Sequence, residues 1–335
     1  AELADVLRSP RGKLSLAASG AKAPGATVSS LNVAASGRDG KGMDFSIQSV
    51  AALDAVGPVR CDMAGRAAPG PDGLNLDLTR LAATVADMPV TLSQKAALVL
   101  AGDRLSVTGL RLGLGKALLA ADGGYDAQKA DLKVTVTDVS LPALAAFGAP
   151  GMTGTVRAEA RVTGSGARPE ASLRLTAQGI GMPGGQGGQK GKTPSLAVDV
   201  TAAVGQGGMQ ATLAASGLGK APFSARVALP ARFSLTPFAF ETPPDGALSG
   251  SVTAGVELAD FAALLAQANT RATGRLTADM AASGTLSAPV VSGKAGLSGG
   301  TVENADTGMR LKDLHLAVEA AGRQIRLVEL SARDY

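Results

Sequence analysis

Apolar and polar residues alternate at a period of two through most of this chain, and few folds satisfy that pattern. In "GLNLDLTRL", Leu74, Leu76 and Leu78 fall on one face. In "DLKVTVTDV", Leu132, Val134 and Val136 do the same. "TVRAEARVTG" sets Val156, Ala158, Ala160 and Val162 against Arg157, Glu159 and Arg161 on the other side. "SLRLTA" (Leu173, Leu175), "SLAVDVTA" (Leu196, Val198), "ALSGSVTAGVEL" and "RLKDLHLAVEA" follow the same rule. Turn signals such as "APG", "PGPDG", "SGAR" and "PPDG" fall between these runs. The pattern predicts many strands, each wet on one face. That belongs to antiparallel or solenoid sheets, since buried parallel strands read as unbroken apolar runs.

One strand recurs. Residues 154–169, "GTVRAEARVTGSGARP", match residues 274–289, "GRLTADMAASGTLSAP", so that Gly154, Gly164 and Pro169 align with Gly274, Gly284 and Pro289. A third copy, "GKLSLAASG", runs from Gly12 to Gly20. Two segments of helical spacing, 141–147 and 257–268, precede two of the copies. In the second, Leu258, Phe261, Ala262 and Leu265 form a stripe. "ELAD" at Glu2–Asp5 repeats "ELAD" at Glu257–Asp260, which predicts a short helix before the first copy as well. The expected organisation is one continuous repetitive fragment over 1–335. Its modules lie near 1–140, 141–256 and 257–335, the last truncated, as in a piece of a longer protein. Residues 178–195, "QGIGMPGGQGGQKGKTPS", have the composition of a flexible loop.

The net charge of +4 comes from 32 basic and 28 acidic residues scattered singly. That is a solvated face, not the clustered footprint nucleic acid requires, so no nucleic-acid partner is expected. No apolar run reaches the length of a transmembrane helix, and no signal peptide is visible. Cys61, the only cysteine, says nothing about the redox compartment.

Catalytic constellations are missing. Gly179, Gly181 and Gly184 match a dinucleotide fingerprint, and Asp199 lies at the distance of a ribose-binding acid. No helix-forming sequence follows to receive a pyrophosphate. Residues 186–193 imitate a phosphate loop, but Gln186 stands where the first glycine belongs. His315 is the only histidine, so no histidine cluster can bind a metal. No enzyme activity, cofactor or metal is expected.

The ordered series in residues 272–334 identifies a resemblance. The Gly-started strand, "SGT" at 283–285, Pro289, "GGTV" at 299–302 and "LKDLHLAVEAAGRQIRLVELSARD" resemble the repeated segment of the TamB family, inner-membrane subunits of the translocation and assembly module. They also resemble the wider AsmA-like group. The resemblance implies a mainly β chain, an elongated antiparallel-type sheet curled into an open apolar groove (a β-taco) with a few short helices. It implies a bridge across the periplasm of Gram-negative bacteria. An anchor outside this fragment would hold it in the inner membrane, and an outer-membrane β-barrel partner of the TamA type would receive it. The implied cargo is phospholipid acyl chains, and the implied role is outer-membrane biogenesis.

The residues themselves fit such a groove. About 20 strands at ~4.8 Å spacing make a sheet on the order of 100 Å long. The groove lining expected from alternation is Leu14, Leu16, Leu74, Leu76, Leu78, Leu132, Val134, Val136, Val156, Val162, Leu173, Leu175, Leu196, Val198, Leu276, Met280, Leu314, Leu316 and Val318. Alternation alone favours these residues packing the core of a closed sandwich or barrel, and the resemblance reverses that preference. A second reading is a scaffold that assembles outer-membrane β-barrel proteins by strand pairing, without conducting lipid. A β-helix adhesin would need stacked Asn ladders, and Asn occurs only at 32, 75, 269 and 304.

Overall fold

The computed structural model describes residues 2–4, 11–23, 25–38, 41–54, 56–71, 73–143, 152–181, 196–217, 223–322 and 324–334. Nearly all of them are in antiparallel strands, as the alternation predicts. The chain divides into two compact units. Unit 1 comprises Ala1–Pro150, Val156–Pro169 and Ser234–Ala239. Unit 2 comprises Gly151–Thr155, Glu170–Phe233 and Phe240–Tyr335.

In unit 1, β1 (Glu2–Ala4), β2 (Arg11–Ala23), β3 (Ala26–Gly37), β4 (Met43–Leu53), β5 (Gly57–Pro69) and β6 (Leu74–Val85) pair in sequence order. The next two strands, β7 (Met88–Leu92) and β8 (Ala96–Ala101), both lie between β6 and β9 (Arg104–Leu114), one after the other. The order continues through β10 (Ala117–Tyr125) and β11 (Ala130–Ser140). Strand β12 (Thr153–Gly164) sends Glu159, Arg157 and Arg161 to Lys133, Asp138 and Asp131 of β11, at 2.9, 2.7 and 3.5 Å.

In unit 2, β13 (Pro169–Gly181), β14 (Leu196–Gly205), β15 (Gly208–Ser216) and β16 (Phe223–Leu229) pair in order. A two-stranded excursion, β17 (Arg232–Leu235) and β18 (Phe238–Glu241), then leaves the sheet, and its Ser234–Ala239 segment counts with unit 1. Strand β16 pairs directly with β19 (Ser249–Glu257), and the series runs on through β20 (Thr270–Gly284), β21 (Pro289–Asn304), β22 (Met309–Gly322) and β23 (Gln324–Asp334). Between β19 and β20 sit a 3-10 turn (Leu258–Phe261) and α1 (Ala262–Gln267), where the sequence places a helical stripe.

The sequence repeat is also a repeat of backbone. Gly154, near the start of β12, and Gly274, the fifth residue of β20, take φ of 125° and 117°, and Gly164 and Gly284 close their strands at 94° and 95°. Side-chain-bearing residues avoid these angles. The following turns carry the same bonds. Ser165 and Arg168 exchange backbone bonds, the Arg168 amide also donates to Ser165 Oγ, and Thr285 and Ala288 do the same. A Cβ on Gly274 would lie 2.7 Å from the Gly300 Cα, so the neighbouring strand leaves no room for one.

Bulges keep the apolar side continuous where the alternation changes phase. Leu311 pairs with Val302 and Leu314 with Gly300. Lys312 and Asp313 are accommodated between them by the left-handed φ of 50° at Asp313. At Gly109 in β9 (φ 69°) the bulged amide donates to Asp122 Oδ1 at 2.7 Å, and its carbonyl accepts from Gln94 Nε2 at 3.0 Å. Side chains thus replace the ladder bonds that a bulge removes.

Two expectations change. The first "ELAD" is not helical: Glu2–Ala4 is a strand, with Glu2 opposite Lys13 of β2. A four-residue segment is too short to nucleate a helix alone, and the edge of β2 supplies ladder bonds instead. The predicted loop at 178–195 begins late, because Gln178–Gly181 complete β13; residues 182–195 lie outside the described set. Of the helical segment at 141–147, residues 141–143 form a 3-10 turn and the rest lies outside the described set.

Candidate functional site

Residues directly opposite one another in a ladder share a face, so the registers test whether the predicted lining is brought together. In unit 1, one row runs Leu14–Ala35–Phe45–Gly65–Leu78–Ala96. The next runs Leu16–Val33–Ile47–Met63–Leu81. Leu76 leads through Leu98, Val107 and Gly123 to Leu132, and Leu74 through Leu100 and Leu105 to Tyr125. Val134 and Val136 sit opposite Ala121 and Leu119 on that same side. Arg157, Glu159 and Arg161 reach the opposite side of β11, so Val156 and Val162 alternate onto the face of Leu132 and Val134.

Unit 2 repeats this arrangement. A row runs Leu175–Val200–Leu213–Ala225–Val252–Met280–Gly293–Ala320. Beside it runs Leu173–Ala202–Ala211–Val227–Gly250–Ala282–Val291. Val198 lies opposite Ala177, and Leu196 opposite Ile180. Leu276, Leu297 and Leu316 align, as do Ala295 and Val318, with Leu314 opposite Gly300. Within each unit, every predicted lining residue therefore lies on one side of the sheet.

That side is poorly covered. Among the described residues the buried apolar side chains are mostly alanine, and Pro169 is the only large one fully buried. Leu16 is 51% exposed, and Leu74, Leu173 and Leu276 are exposed as well; the other predicted lining residues are half-buried. Strand β23 presents Ile325, Leu327 and Leu330 to solvent. Large apolar side chains therefore stand exposed on this side in both units.

In unit 2 the apolar side holds a hollow of about 530 Å³. Its floor is the two adjacent rows, from Val200 and Ala211 on β14 and β15 to Met280, Ala282 and Val291 on β20 and β21. Of its lining, only Met280 belongs to the predicted set. Ala211, Ala225, Gly250 and Ala282 escaped because small residues give alternation little contrast. The strand "ALSGSVTAGVEL" carried the available signal.

The opposite side is polar. Arg66–Asp44, Arg80–Asp62, Arg111–Asp122 and Lys294–Glu319 pair across strands at 3.3, 2.7, 2.6 and 2.8 Å. The Gly109 amide holds the Asp122 carboxyl below its ordinary range, with Arg111 adding to the effect. Lys294 likewise lowers the Glu319 carboxyl. Unit 1 has hollows of about 480 and 780 Å³ on this polar side, ringed by side chains such as Asn32, Gln48 and Arg60, and Asp44, Asp77 and Lys95.

The chemical decoys resolve into sheet parts. Gly179 forms a bulge in β13, and Asp199 sits in β14, where Thr176 Oγ1 donates to it at 3.0 Å. Gly184 and residues 186–193 lie outside the described set. Burial raises the Cys61 thiol, with Asp62 adding to it, which disfavours a nucleophilic thiolate. Exposed His315 lies opposite Ser331. Among the described residues there is no group of potential metal ligands, and no helix is long and apolar enough to cross a membrane. No family model, curated protein or solved structure matches this chain.

Proposed function

We propose that this chain carries phospholipid acyl chains along the apolar side of its sheet. It would work as part of a periplasmic bridge of the TamB or AsmA-like kind, anchored in the inner membrane beyond this sequence and reaching a TamA-type barrel in the outer membrane. The observation that carries the reading is the continuity of the apolar rows within each unit, joined to the exposure of their leucines. Moving a 16-carbon chain into water costs on the order of 10 kcal/mol, at ~0.8 kcal/mol per methylene. An uncovered apolar trough removes most of that cost with no chemical step. The surface resembles a sheet waiting for a guest, since a sheet serving only as a core would cover its large side chains.

The test is site-specific photo-crosslinking in cells, with the probe at Leu314 or Leu316 and the control at Asp313 or Lys312. Asp313 is exposed, and the bulge sets both controls apart from Leu314. Lipid adducts confined to the leucine positions are expected. Adducts at neither position, or equally at both, overturn the reading.

A further inference from the structure

We infer that Gly250 sets the depth of the hollow in unit 2, and that the guest this depth admits is a single unbranched alkyl chain. The inference rests on the lipid-carrying reading and specifies one of its seats.

Gly250 is the second residue of β19, between Val227 of β16 and Ala282 of β20, so strands flank it on both edges. Its φ is not in the left-handed region that demands glycine. A Cβ there would meet the Arg226 carbonyl oxygen at 3.3 Å and the Ala282 Cβ at 3.8 Å, so the neighbouring strand would give by a few tenths of an ångström. Backbone conformation does not require the missing side chain, and packing asks only this small shift for one. Its remaining effect is on the floor of the hollow, which Gly250 lines.

The shape of the floor selects the guest. It crosses six neighbouring strands, β14 to β21 by way of β16 and β19, or roughly 24 Å at ordinary strand spacing. It is two residue rows wide. An acyl chain spans about 15 Å, half the hydrocarbon thickness of a bilayer, so one chain fits lengthwise. An extended peptide lying on the floor would need hydrogen-bond partners for its backbone. The strands beneath it already pair with each other on both edges, so the floor offers none. An alkyl chain needs no such partners.

The experiment photolabels the purified full chain with a 16-carbon fatty acid bearing a diazirine in its tail, and maps the labelled peptides. The wild type is expected to be labelled at Val252–Met280 and at Leu316. Gly250→Leu is expected to lose roughly tenfold or more of the Val252–Met280 label, keep the Leu316 label, and melt no more than about 4 °C below the wild type. Undiminished label at Met280 in a folded Gly250→Leu overturns the inference while leaving the lipid-carrying reading intact. Wild type unlabelled at both places overturns that reading and the inference together. Should Gly250→Leu fail to fold, Ala225→Leu fills the same floor from β16 and must give the same loss; undiminished label there overturns the inference. A fused-ring sterol that displaces the probe as well as unlabelled fatty acid does overturns the single-chain guest.

Discussion

In unit 1 the row from β6 to β9 sets Leu76, Leu98 and Val107 side by side, and Val107 is buried. In unit 2 the row from β15 to β20 sets Ala211, Val227, Gly250 and Ala282 side by side, and a hollow opens above it. Both rows are built by the same antiparallel pairing with the same alternation. They differ in side-chain volume at a backbone spacing that cannot adjust. Strands stand a fixed distance apart, so a row of alanine and glycine leaves space where a row of leucine fills it. The two hollows described in unit 1 lie on the polar side, among side chains such as Arg60, Arg66 and Lys95. Which side of a sheet can receive an apolar guest is thus decided residue by residue on a common frame.

The largest effect is expected where the frame itself is altered. Gly274→Val puts a branched side chain at a φ of 117° against the Gly300 backbone. It should cost about 3 kcal/mol or more. Hydrogen exchange should show β20–β22 losing protection while β3–β6 keep theirs; equal loss in both would end the treatment of the units as separate. A sharper test makes one change in both units. Ala121→Leu enlarges a buried position opposite Leu110 and Val134 and should cost about 1–3 kcal/mol in urea unfolding. Ala225→Leu points into the hollow and should stay within about 0.5 kcal/mol. Equal costs would mean that the hollow does not accept volume.

Acid should weaken a carboxyl in each unit, Asp122 in unit 1 and Glu319 in unit 2, and Asp122 gives the test for unit 1. The folded Asp122 carboxyl titrates below its unfolded value, chiefly through the Gly109 amide. Its contribution is therefore present above the unfolded value, near pH 4, and lost as pH falls through the lower folded one. With the side chain half-exposed, solvent screening keeps it below about 1 kcal/mol. Asp122→Asn should flatten the acid limb of stability for unit 1; an unchanged limb would mean that the bulge bond contributes nothing to it. The smallest effect is expected for Arg157→Ala, which deletes an exposed ion pair to Asp138 and should cost about 0.5 kcal/mol or less in thermal unfolding.

The sequence by itself determined the strands, their polar and apolar sides and the repeated module. These are local properties: alternation, turn residues and glycines whose backbone angles no other residue tolerates. Leu14 and Leu78 could each be assigned to an apolar side from their neighbours alone. That they stand in one row was decided by register across five strands, which no local pattern contains. Register also placed Gly250 between Val227 and Ala282, turning a residue with no apolar signal into the floor of a hollow. The left-handed turn at Asp313, which lets Leu311 and Leu314 share a side despite their odd spacing, was likewise a tertiary decision. A side chain's face follows from its own strand, whereas the space above it depends on residues far away in the chain that pairing brings alongside.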